Sequence, residues 1–218
     1  MENMKKIIII GAGAHAAELE EYILENNKIT NSYEIVGYLD DSVQNYEKSK
    51  LSFPLLGGIY SENISEDIEL ILSINTVKLR SSIINFYKQR NLVFSSFIHN
   101  TARVFRTAEI GEGNVICPYS QIGPNVKIGS FNTFNNKSSI GHDTLIGDNN
   151  IFCPNIGLSG NTKIGNNNFF SLNVATIPNV SIGDNNVIAP NMVIEKNIKS
   201  DSTFFQRFKE TVLVIPRD

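Results

Sequence analysis

Beginning at Val104, the chain carries an apolar residue at almost every sixth position. Positions 104, 110, 116, 122, 128, 134, 140, 146, 152, 158, 164, 170, 182, 188 and 194 are Val, Ile, Leu or Phe, and only Thr176 interrupts the series. A composition that is 41% hydrophobic would put six or seven apolar residues at sixteen arbitrary positions, not fifteen. Six is neither the helical period of 3.6 nor the alternation of a simple strand. Self-similarity at a fixed period predicts a solenoid, whose units bury their apolar positions only by stacking on one another.

The positions between the apolar ones describe the corners. The second residue of the unit is Gly at 111, 123, 129, 141, 147, 165 and 183, and the fourth is Asn in every unit from Asn149 to Asn197. Both residue types tolerate left-handed backbone, so both are expected at a sharp turn every six residues. The fifth position is Asn at 114, 132, 150, 168 and 186, spaced by 18. Three hexapeptides per coil would stack these five side chains, and their amides could then hydrogen-bond along the stack. A three-sided parallel β-helix is the expected form.

The first hundred residues follow a different pattern. "KKIIIIGAGAHAAELEEYILENN" reads as a buried strand, a glycine turn and an amphipathic helix. Gly11, Gly13 and Ala16 match G-x-G-x-x-G/A, in which a helix N-terminus and exposed backbone N–H groups receive a pyrophosphate. The strand "YEIVGYLDD" ends in Asp40 and Asp41, where a ribose hydroxyl would find an acceptor. "DIELILSI" reads as a further strand, "KLRSSIINFYKQR" as a helix, and "LVFSSFI" as a last strand before the solenoid. This α/β unit is too short for a full dinucleotide fold, so a mononucleotide or nucleotide-sugar suits it better than NAD. A purely structural glycine turn is the competing reading. Two roles fit His15: donating to a phosphate, or capping the helix. For His99, at the junction, a structural hydrogen bond is expected.

Charge and composition narrow the field. A net charge of −3 with no cluster of Lys and Arg argues against nucleic acid. The longest apolar run, Ile7 to Ile10, is far shorter than the roughly 20 residues of a membrane span, and "MENMKK" has no apolar signal core, so a cytoplasmic protein that does not engage a membrane is expected. Cys117 and Cys153 are 36 residues apart, hence two coils apart at one corner. At roughly 4.8 Å per stacked strand, the separation of about 9.6 Å exceeds the ~7 Å limit of a disulfide. Both are read as packing residues, and no metal site is expected.

With these features in place, a resemblance becomes specific. The hexapeptide unit over residues 104 to 199 resembles the left-handed β-helix of bacterial hexapeptide acyltransferases. "GAGAHAAELEEYI", "GYLDD" and "FIHNTA" resemble segments of the sugar-nucleotide N-acetyltransferases of surface-glycan biosynthesis and of the related sialic acid O-acetyltransferases. The resemblance implies an α/β plus all-β chain: a small Rossmann-like parallel-sheet domain over 1–99 that binds a nucleotide-sugar, a left-handed parallel β-helix over 100–199 that carries acyl transfer, and a capping segment over 200–218. It implies a homotrimer with sites between neighbouring β-helices, acetyl-CoA or another acyl-CoA as co-substrate, and a nucleotide-linked amino sugar, acylated at a 4-amino group, as acceptor. UDP, dTDP and GDP are all compatible. By the same resemblance Gly11, Gly13, His15, Asp40 and Asp41 would lie along the nucleotide-sugar. Ala14, Ala16, Asn75 and Asn100 depart from the family's pattern, and the end, "STFFQRFKETVLVIPRD", replaces its usual G-x-P-A-K segment. Phe204, Phe205, Phe208 and Val212 are spaced for one face of a short capping helix.

One histidine has no place in the repeat. In "IGHDTL" the unit needs Ile140 inside and Gly141 and Thr144 at the corner, whereas His142 and Asp143 fall at outward positions. A solvated corner would satisfy the repeat. An imidazole also suits removal of a proton from an attacking amine at neutral pH. The resemblance assigns His142 as the general base of a direct transfer, Asp143 as the residue that orients it, and Gly160 in "LSGNTKIG" as the backbone donor to the oxyanion. Two other readings share the fold: a non-catalytic nucleotide-sugar-binding or scaffold protein, and an O-acetyltransferase of a sugar acid.

Overall fold

The structure is a computed structural model and describes residues 4–205. Its first part is a four-stranded, all-parallel sheet formed by β1 (Lys5–Ile10), β2 (Tyr33–Leu39), β3 (Leu55–Gly57) and β4 (Ile68–Leu72), in the order β3-β2-β1-β4. Helix α1 (Ala14–Thr30) joins β1 to β2, α2 (Val43–Ser49) follows β2, and α3 (Val77–Lys88) follows β4. The run Ile7–Ile10 is apolar throughout because both faces of β1 are covered. Ile7 and Ile9 pack with Leu19 and Ile23 of α1, whereas Ile8 and Ile10 pack with Ile83, Ile84 and Tyr87 of α3.

The second part is a three-sided parallel β-helix with two-residue strands on each face. Its first face has seven strands, from Phe97–Ile98 to Thr203–Phe204; its second has six, from Arg103–Val104 to Val193–Ile194; its third has five, from Glu109–Ile110 to Ser181–Ile182. Successive strands on a face pair 18 residues apart, as in Thr133↔Ile151. The solenoid therefore begins at Phe97–Ile98, which pairs with Val115–Ile116, one strand earlier than the sequence pattern suggests. The fold is thus the expected one, a small N-terminal parallel-sheet domain followed by a left-handed parallel β-helix.

The hexapeptide positions act as expected inside and differently at the corners. Residues from Ile116 to Ile194 in the series are buried, and Phe134, Phe152 and Phe170 stack at 4.7 and 4.8 Å between ring centroids. Thr176, the exception, is buried as well and accepts a hydrogen bond from Ser159 N. Left-handed backbone falls on every sixth residue from Tyr119 through Asn191, the fourth position alone. The second-position glycines are needed for a different reason. A Cβ on Gly141 would stand 2.6 Å from Gly160 N of the next coil. Close stacking, not turn geometry, excludes a side chain there.

The fifth-position asparagines form the anticipated ladder. Asn114 Oδ1 accepts from Asn132 N (2.8 Å) and Nδ2 (3.1 Å), and Asn132 Oδ1 does the same for Asn150 at 2.9 and 3.0 Å. Asn150 in turn accepts from Asn168. The repeat then shortens by two residues: Ile198 bridges Ile182, and Thr203–Phe204 pairs with Val187–Ile188. Phe204 is thus in a strand of the first face and not in a capping helix, because the solenoid extends one rung further. Phe208 and Val212 lie outside the described residues. Cys117 and Cys153 are free thiols, two rungs apart with Asn135 between them.

The N-terminal part covers the lower half of the first face. Val115, Thr133 and Ile151, which point outward from that face, are buried. Arg80 of α3 is fully buried and donates to Asn149 Oδ1 (2.9 Å), Ile74 O (2.9 Å) and Phe131 O. Burial without a carboxylate partner pushes its pKa down to about 10, so the guanidinium stays charged at neutral pH. On the α1 side Asn26 Oδ1 accepts from Asn100 N at 2.8 Å, and His99 accepts at Nδ1 from Thr101 N at 3.2 Å. Burial lowers the His99 pKa, and its ring packs edge-on against Tyr22 and Phe97. The structural hydrogen bond expected of His99 is present.

Candidate active site

Two groupings of the sequence-derived residues form, and they lie on opposite sides of the molecule. The first is at the C-terminal ends of β1, β2 and β4. Gly11 has φ +101°, and a Cβ there would stand 2.9 Å from Ile74 Cγ1, so both its backbone and its surroundings require glycine. Gly13, the N-cap of α1, has ordinary extended backbone, and a Cβ on it would meet nothing within 4 Å. The first turn of α1 itself holds no acidic residue, and the carboxylate beside the helix start is that of Asp40, at Ala12 N. His15 is buried with neither ring nitrogen hydrogen-bonded, so it caps nothing; Glu18 Oε2 lies 3.5 Å from Nδ1 without good bonding geometry. Ser73 Oγ, at the end of β4, is also buried and unpartnered. Both groups are open to hydrogen bonding from a polar group in the crevice.

The two aspartates are already engaged. Asp40 Oδ2 accepts from Ala12 N at 2.7 Å and Oδ1 from Ser42 N at 2.8 Å, while Asp41 Oδ1 accepts from Ile59 N at 2.8 Å. In this structure Asp40 clamps the glycine turn and Asp41 ties down the loop after β3. Sequence reasoning gave each its place at the strand end but not these backbone partners.

The second grouping is at the corner between the second and third faces. His142 Nδ1 lies 2.7 Å from Asp143 Oδ2. A carboxylate only accepts, so Nδ1 carries the hydrogen and Nε2 presents a lone pair. That bond, together with a second from Asn125, holds Asp143 below the usual carboxylate range. Asp143 has φ 56°, a conformation open to Asp, and its N–H donates to Pro124 O at 3.0 Å. The imidazole lies over the next coil: a Cβ on Gly160 would stand 2.6 Å from His142 Nε2. The Gly160 N–H has no acceptor among the described residues. Sequence reasoning missed Asn125, whose Nδ2 donates to Asp143 Oδ1 at 3.0 Å; it looks like one corner asparagine among many. Cys117, well apart, is pushed up to about 12 by burial and is no nucleophile at neutral pH.

A small parallel-sheet domain stacked on a hexapeptide β-helix is the architecture of the sugar acetyltransferases that resemble this chain throughout. Residues 6–86 match the family described as PglD N-terminal domain. Among solved structures, the acetyltransferase domain of PglB from Neisseria gonorrhoeae, in complex with acetyl coenzyme A, is similar at 23% identity and a TM-score of 0.79, over 92% of this chain and 97% of that one. A His-to-Asn variant of perosamine N-acetyltransferase from Caulobacter crescentus, in complex with CoA and GDP-perosamine, is similar at 19% identity and a TM-score of 0.78, over 93% of each chain. WeeI from Acinetobacter baumannii AYE is similar at 19% identity and a TM-score of 0.63, over 90% of this chain and 94% of that one. No curated protein matches the sequence.

Proposed function

We propose that the protein is an acyl-CoA-dependent N-acyltransferase, with acetyl-CoA as donor and a nucleotide-linked amino sugar as acceptor. The observation that carries this reading is the His142–Asp143 pair, whose ring lies over Gly160 and whose Nε2 is bonded to no other group among the described residues. His142 Nε2 takes the proton from the sugar amine as its nitrogen bonds to the thioester carbonyl carbon. Asp143 stabilises the imidazolium that results. The Gly160 N–H faces the carbonyl oxygen as it gains negative charge. When the C–S bond breaks, His142 returns the proton to the departing sulfur, so no covalent acyl-enzyme forms. The donor chemistry agrees with the acetyl coenzyme A in the PglB domain, and the acceptor chemistry with the GDP-perosamine in the Caulobacter enzyme.

The nucleotide half of the acceptor is assigned to the crevice at Gly11, Gly13 and His15, where the backbone N–H groups at the start of α1 and His15 Nε2 would meet a diphosphate. That crevice belongs to the domain on the first face, and His142 sits on the corner opposite that face. A substrate in the crevice therefore reaches the His142 of a neighbouring copy, which fits a homotrimer. Leu145 on the third face, Val193 on the second and Ile177 at the corner between them are exposed apolar residues available to such packing.

The test is a panel of amino-sugar nucleotides with acetyl-CoA, read as free thiol release, with His142→Ala alongside. On the accepted substrate His142→Ala lowers kcat by roughly 10²- to 10⁴-fold while both KM values hold, because proton transfer matters in the transition state. Full turnover by His142→Ala removes the mechanism.

A further inference from the structure

We propose that Asn125 is a positioning residue for the catalytic pair: its amide fixes the Asp143 carboxylate, whose other oxygen then holds the imidazole. The inference rests on the reading of His142 as the base. Asn125 and Asp143 occupy the same corner one coil apart, both with left-handed backbone at φ 58° and 56°. Their side chains consequently leave the solenoid in parallel. Asn125 Nδ2 donates to Asp143 Oδ1 at 3.0 Å, and Asp143 Oδ2 accepts from His142 Nδ1 at 2.7 Å. Asn125 is itself anchored, since its N–H donates to Thr107 Oγ1 at 2.9 Å. The column Thr107, Asn125, Asp143 thus ends on the imidazole.

The same corner geometry occurs without any catalytic candidate, in Asn173 Nδ2 donating to Asn191 Oδ1 at 3.0 Å. A bond of this kind is therefore available to the repeat as simple coil stacking. Two features set the lower one apart. Asp143 is the one acid among the left-handed fourth-position residues from Tyr119 to Asn191, and its second oxygen is bonded to a histidine. An exposed carboxylate without Asn125 would be free to rotate to solvent, and the imidazole would lose its preference for the Nδ1–H tautomer, leaving Nε2 protonated and unable to accept.

The experiment compares Asn125→Ala, Asp143→Ala, the double variant, His142→Ala, and Asn173→Ala as the stacking control. Asn125→Ala is expected to lower kcat by roughly 3- to 30-fold with both KM values within about twofold, and to add nothing to Asp143→Ala in the double variant. Asn173→Ala is expected to turn over like the unmodified protein. Wild-type turnover by Asn125→Ala, or losses that multiply in the double variant, overturns the inference while the His142 mechanism stands. Wild-type turnover by His142→Ala removes the mechanism and the inference together. A second readout needs no substrate. Long-range nitrogen–proton spectra of the His142 ring should show the Nδ1–H tautomer in the unmodified protein and in Asn173→Ala, and its loss in Asn125→Ala. An unchanged tautomer in Asn125→Ala overturns the inference directly.

Discussion

His142 can lie over the following coil because residue 160 has no side chain. A Cβ there would stand 2.6 Å from Nε2 and 2.7 Å from Cε1, so Gly160→Ala must displace the ring. The backbone at 160 is not left-handed, and alanine can adopt it without strain. The expected result is a kcat lowered by roughly 10²-fold with thermal stability nearly unchanged, since small misplacements of a reacting group cost that much. Steady-state kinetics beside a melting curve checks both halves, and full activity would mean that the imidazole is not used in this position. At this scale the sequence shows residue type better than partner. His142 stood out because nothing in the repeat asks for imidazole. Asn125 did not, because the repeat is full of asparagine and only the coil spacing reveals which one touches Asp143. Asp40 was placed at the correct strand end, but its clamp on Ala12 N depends on how two loops close, 28 residues apart.

The asparagine ladder ties each coil of the solenoid to the next. Asn150 donates through Nδ2 to Asn132 Oδ1 and to Gly165 O at 3.0 and 2.9 Å, and it accepts from both donors of Asn168 at 2.9 Å. Asn150→Ala removes the acceptor of Asn168 N and Nδ2 and one donor to Gly165 O, while Asn132 Oδ1 keeps Asn150 N, and each buried group left unpaired costs about 1–3 kcal/mol. A loss of about 2–4 kcal/mol is expected in denaturant unfolding, with relaxation of the neighbours keeping it below the full sum. A loss below about 0.5 kcal/mol, typical of a surface position, would show that the ladder is ornamental. The ladder was legible because a spacing of 18 is a property of the sequence alone. The shortened last coil was not: Ile198 takes the inward position, two residues ahead of the hexapeptide series, and Phe204 follows it onto the first face. The bond between Arg80 and Asn149 was equally hidden, since it joins residues 69 apart across two different folding patterns.

For the whole molecule, the placing of the two groupings on different faces bears on how copies would share a site. Helices α1 and α3 hold the N-terminal part against the first face, through Asn26 to Asn100 and Arg80 to Asn149, so the crevice at Gly13 is fixed on that side. His142 projects from the opposite corner, with its side chain 60% exposed and so open to a neighbour. If each site joins the crevice of one copy to the His142 of the next, two inactive chains should restore activity when assembled together. One is His142→Ala. The other is Gly13→Phe, which puts a bulky ring at the helix N-terminus from a Cβ that has no neighbour within 4 Å. Chains unfolded together and refolded at equal amounts would place an intact crevice against an intact His142 at roughly one site in four of a cyclic assembly, giving about a quarter of the normal turnover. Each variant refolded alone should stay near zero. If crevice and base served within one chain, every chain in the mixture would lack one of them, and mixing would restore nothing.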